Sequence, residues 1–94
     1  MNEANSLARA TVDAVVRDEW GKMLSILIGQ FRDFEGAQDA LQDAVVAALV
    51  HWPEDGVPNR PIAWLIQTAR RKSIDRIRRA ENFSRKQDQI ALLK

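Results

Sequence analysis

Cysteine is absent from this chain, which removes disulfides and thiolate chemistry and fits a cytoplasmic protein. Histidine occurs once, at His51, too little for a His-based metal site or a Ser/His triad. No apolar run approaches the ~20 residues that a membrane span needs. The opening MNEANS is polar and has no signal-peptide core. Strand-type alternation, internal repeats and low-complexity segments are also missing. What is left is a 94-residue chain of ordinary apolar content. Such a chain is expected to form one domain and to bury roughly two thirds of its unfolded surface. With helical periodicity throughout, the expected fold is all-α, a compact bundle of three to four helices.

The net charge of +1 hides a segregation. Residues 33–55 carry six acids, Asp33, Glu35, Asp39, Asp43, Glu54 and Asp55, and no Lys or Arg. Residues 60–86 carry nine cations against Asp75 and Glu81. Two surfaces with different partners are implied. The basic one suits nucleic acid or an anionic membrane, and the acidic one suits a basic protein patch. The plainer alternative is that the two halves neutralise each other within the fold.

Asn5 or Ser6 is placed to cap a first helix. Val12, Val15, Val16, Met23, Leu24, Leu27, Ile28 and Phe31 then recur with helical spacing. Gly21 interrupts this stretch, which reads either as one helix from about Leu7 to Phe31 or as two pieces meeting near Gly21. Trp20 reads as a packing residue. Arg32 to Gly36 reads as a turn. A second helix is expected over about Ala37 to His51, with a core stripe of Ala37, Ala40, Leu41, Ala44, Val45 and Ala48. Its other face holds Asp39, Gln42, Asp43, Val46 and Val50. Valines among acids point to a protein-binding face, unless Val46 and Val50 pack on the first helix. Asp39 and Asp43 lie one turn apart, but two carboxylates without a third ligand make a poor metal site. No cofactor and no catalytic residue is expected.

Trp52 to Arg60, WPEDGVPNR, reads as turn chemistry, with Pro53 and Pro58 barring helix interior and Asp55-Gly56 marking a tight turn. Pro61 suits the first position of a third helix, PIAWLIQTARRKSIDRIRRA, expected to end near Ala80 to Phe83. Its apolar stripe is Ile62, Leu65, Ile66, Ala69, Ile77 and Ala80. The outward side holds Trp64, Gln67, Arg71, Asp75 and Arg78, flanked by Arg70, Lys72 and Arg79. A flat ring among guanidinium groups can stack a base and hold phosphates. The alternative is a solvated Arg-rich face with Trp64 packed on a neighbouring loop.

Two motifs add a resemblance. DALQDAVVAALVHW resembles the D-x-x-Q-[ED]-x-[FV] segment of bacterial RNA polymerase sigma factors, and AWLIQTARRKSIDRIRR resembles their W-L-x-x-x-A-x-x-x-x-x-D-x-x-R segment. The order of the motifs, their separation and the Pro-rich loop between them match region 2 of the compact extracytoplasmic-function (ECF) group, over roughly residues 7–80. The resemblance implies that Asp39, Gln42 and Asp43, extended by Val46 and Val50, dock on the clamp helices of the largest subunit of core RNA polymerase. It also implies that the loop from Trp52 to Arg60, with Arg60, Trp64, Gln67, Arg70, Arg71, Lys72, Arg78 and Arg79, meets the non-template strand of the −10 promoter element. Gln67 and Arg71 match positions used at the upstream edge of that element, although many compact members carry Asn where Arg71 stands. Asp75 matches a position expected to pair with Arg71, Arg78 or Arg79. An anti-sigma factor is a further implied partner, and no membrane is. The family's second domain, a helix-turn-helix, does not occur before the chain ends at Lys94. Residues 1–83 are therefore expected to form the domain, and 84–94 a short frayed helix, a tail or the start of a linker. The expected function is promoter recognition without catalysis. The alternative is a helical interaction module that binds polymerase or a regulator without reading DNA.

Overall fold

In the computed structural model, which describes residues 3–93, three helices follow one another: α1 (Glu3–Phe31), α2 (Phe34–Asp55) and α3 (Pro61–Leu93). The end of the anticipated tail, residue 94, lies outside the described residues. Helix α1 is one piece, continuous through Gly21. It starts at Glu3, so Asn5 and Ser6 sit inside its first turns rather than at its cap. A Cβ built on Gly21 would meet nothing within 4 Å. Gly21→Ala is therefore expected to stabilise by about 0.5–1 kcal/mol, since Gly in a helix interior carries the larger backbone entropy loss. A thermal melt should rise by roughly 2–8 °C. No rise would mean that Gly21 serves a bend or a contact.

The turn between α1 and α2 is only two residues long. Arg32 takes the left-handed φ of 54° that commonly ends a helix, and its N–H donates to the Ile28 carbonyl at 2.7 Å. Asp33 is extended, with φ −139°, and its carboxylate accepts from the Gly36 N–H at 3.1 Å, so α2 begins at Phe34, earlier than its apolar stripe suggests. A Cβ at Gly36 would run into that carboxylate as it stands, so a larger residue there would displace the Asp33 cap.

Helix α2 lies between the other two and buries Ala37, Ala40, Leu41, Ala44, Ala48 and Trp52. Four of these six are alanines, so the backbones of neighbouring helices can approach closely. From α1, Ala8, Val12, Met23 and Leu27 are buried, with Trp20 packed against them. From α3 come Leu65 and Ala69. Each fully buried Leu or Met contributes about 1.5–3 kcal/mol of apolar burial.

Two expectations are corrected at the helix ends. Helix α2 does not stop at His51; it runs to Asp55 with Pro53 inside it. Proline removes one backbone bond, that to the carbonyl four residues back, and in the last turn this is offset by the burial of Trp52. Gly56, at φ 92°, then ends the helix by donating to the Trp52 carbonyl at 2.8 Å. Helix α3 does not end near Ala80 to Phe83 but continues unbroken through Leu93, over residues expected to form a separate short frayed helix or a tail. The buried stripe Leu65, Ala69, Ser73 stops there, and Ile77 and Ala80, expected in the core, are exposed. Beyond Ser73 no α3 residue whose side chain is described is buried, although Arg76 still reaches α2. The radius of gyration is accordingly 16.7 Å, against about 12 Å for a compact domain of this length.

Candidate functional site

The start of α3 is set by its own residues. Arg60 supplies the carbonyl that accepts from the Trp64 N–H at 3.0 Å, and Pro61 occupies the first helical position, as expected. Trp64 does not stand free among the charges. It is half-buried and meets Trp52 edge-on, with ring centroids 5.3 Å apart and planes at 70°. The T-shaped arrangement suits the ring quadrupoles and locks the end of α2 to the start of α3. Val57, between them in the loop, packs on the same core.

From Gln67 onward the polar and charged side chains singled out on α3 are exposed: Gln67, Arg70, Arg71, Lys72, Arg78 and Arg79 all face solvent. At about 100° per residue, Gln67, Arg71 and Arg78 fall on one outward stripe. Lys72 and Arg79 lie on the flank nearer α2. There, with Asp43, Val46, Val50 and Arg76, they line a groove of about 480 Å³ between α2 and α3. Val46 and Val50 are 59% and 60% exposed, so they do not pack on α1. They form an apolar strip with cations along one side.

The acidic side of the patch is already engaged. Arg76 places one guanidinium nitrogen 3.2 Å from Asp39 and the other 2.8 Å from Asp43. The two carboxylates are one turn apart on α2, and the fork of a single Arg spans them. All three side chains are about half exposed, so each contact contributes on the order of 0–1 kcal/mol. Gln42, between them in sequence, is exposed and completes the face. Asp75 was expected to pair with a nearby Arg of its own helix; among the described residues it makes no ion pair, and the bridge belongs to its neighbour Arg76. Arg76 was not anticipated as a site residue. The available signal was the pair of acids one turn apart on α2 facing a cation-rich helix.

The sequence pattern described as Sigma-70 region 2 matches residues 16–83. An uncharacterised protein of Rhizobium meliloti (strain 1021) is 41% identical over 56 residues, which is 60% of this chain and 13% of that protein. The chain thus spans a small part of the curated relative that it matches. No solved structure matches.

Proposed function

Starting from the membership of this chain in the sigma-70 region 2 family, we propose that it is a promoter-recognition domain that docks on core RNA polymerase and engages the −10 element, in the manner of the ECF group. The observation that carries this reading is the juxtaposition of an acidic, partly apolar face on α2 with an outward basic stripe on α3. Asp39, Gln42, Asp43, Val46 and Val50 form the polymerase face, directed at the clamp helices of the largest subunit. Arg60, Gln67, Arg70, Arg71, Lys72, Arg78 and Arg79 form the nucleic-acid face, directed at the non-template strand. Trp64 retains part of its ring surface and offers a stacking edge beside them. The work is binding rather than catalysis, and it is done in the cytoplasm; an anti-sigma factor would act by covering either face.

Phosphate contacts position such a domain and base contacts specify its sequence. Arg79, on the flank of α3, is assigned to phosphate. Arg79→Ala is expected to weaken every promoter alike and to reduce the salt dependence by about one phosphate equivalent. Arg71, beside Gln67 on the outward stripe, is assigned to base edges, where a good pair gives about 1–3 kcal/mol of discrimination. Arg71→Ala should narrow the gap between matched and mismatched promoters in transcription with core polymerase. A uniform loss across the promoter panel would reassign Arg71 to phosphate. No loss from either variant, with polymerase binding intact, would favour an interaction module that does not read DNA.

A further inference from the structure

We infer that Arg76 couples the two faces: it is the internal counter-ion of the docking acids, and it is handed to nucleic acid when a cationic partner takes its place. The inference rests on the reading of Asp39 and Asp43 as polymerase-docking residues.

The geometry is that of an exchangeable plug. The two guanidinium nitrogens of Arg76 reach different carboxylates, Asp39 at 3.2 Å and Asp43 at 2.8 Å. Both acids a basic partner would use are therefore occupied from within the chain. The bridge is not buried: the side-chain exposures are 48% for Arg76 and 59% and 47% for the acids. Pairs in that setting are weak, so an incoming cation can replace this one, at a cost of no more than about fivefold in affinity per contact.

Arg76 stands one turn from both Lys72 and Arg79, and the three line the same groove. Like charges at this spacing repel, and the α2 acids relieve that repulsion. Once a partner's cation neutralises Asp39 and Asp43, Arg76 is left as a third free cation in the row, beside Arg79, already assigned to phosphate, and Lys72 of the nucleic-acid face. Its flexible side chain then has an anion to gain on the nucleic acid. Coupling of this kind is reciprocal: phosphate that draws Arg76 away exposes the acids to the partner. The side chain has two discrete sets of partners, so this coupling does not require the helices to move.

The test uses the 94-residue chain with core RNA polymerase and a −10-type single strand. Arg76→Gln keeps the length and removes the charge. It is expected to bind core about two- to fivefold more tightly at low salt, because the acids are unmasked. Asp39→Asn/Asp43→Asn should bind more weakly, and adding Arg76→Gln to that pair should bring no gain. With core bound, Arg76→Gln should also lower the salt slope of single-strand binding by about one, as loss of a phosphate contact does. Arg76→Lys retains the charge but cannot fork across two carboxylates, so it should tighten core binding while keeping the slope. If Arg76→Gln binds core no better than the wild type while the Asn pair binds weakly, Arg76 is a strut and the coupling is overturned, with the docking face intact. An unchanged salt slope overturns the transfer to nucleic acid. If the Asn pair binds core like the wild type, the docking assignment falls and takes the coupling with it.

Discussion

Trp52→Ala is expected to cost about 3–5 kcal/mol, the range for truncating a large buried aromatic, and to lower the melting temperature by roughly 12–40 °C. Trp52 is the largest of the fully buried side chains, at 2% exposure. Its side chain holds two things at once: the last turn of α2 in spite of Pro53, and the edge-on contact with Trp64 that fixes the start of α3. Total stability of a small domain is about 5–15 kcal/mol, so the variant would sit near the edge of unfolding. The indole N–H of Trp52 is buried and meets no acceptor among the described residues. Trp52→Phe removes that unpaired donor, whose burial itself costs about 1–3 kcal/mol, and should be much the milder change. Helical signal followed by circular dichroism through a thermal melt tests both. A loss under about 1 kcal/mol for Trp52→Ala would place the centre of the core elsewhere.

The parts of this fold that were legible in the sequence are those where periodicity alone decides. The stripes of α1 and α2 are buried largely as their spacing predicts, because each helix has a neighbour along its length. Pro61 and Gly56 mark boundaries because each has one backbone use there. Pro53 misled because the rule against proline in helices is a statement about local energy, and here the tertiary contact of Trp52 outweighs it. Ile77 and Ala80 misled for a different reason: they continue the pattern of Ile62 and Leu65, but both stay exposed although their neighbour Arg76 still reaches α2, and a pattern does not reveal where close helix packing ends. For the site, the exposed residues Asp39, Gln42, Gln67 and Arg71 follow from helical angle alone. The Arg76 bridge does not, because it depends on how α3 crosses α2, and that register is set by alanines and tryptophans that carry no charge information. Trp64 shows the same limit, since an aromatic on an outward stripe can still turn its edge to a loop-side neighbour such as Trp52.

Asp39→Arg/Asp43→Arg is expected to abolish docking on core polymerase, with a loss on the order of a hundredfold or more, because placing like charges against a cationic partner costs several kcal/mol. The same pair would also face Arg76 across the groove, with Lys72 and Arg79 close behind. Some loss of stability should accompany the loss of docking, about 1–2 kcal/mol for a half-exposed cluster turned from attractive to repulsive. Lost docking alone would therefore be ambiguous, since a loosened α2–α3 pair could produce it. Adding Arg76→Glu resolves the ambiguity by rebuilding the bridge with its charges swapped. The triple variant should recover most of the melting temperature, because the internal attraction is restored. It should not recover co-purification with core, because the outward face of α2 is still cationic. Recovery of both would show that Asp39 and Asp43 serve only to hold α3, and the polymerase contact would then have to lie on the exposed strip of Val46 and Val50. Recovery of neither would mean that the bridge contributes little to the fold and that the acids act on the partner alone.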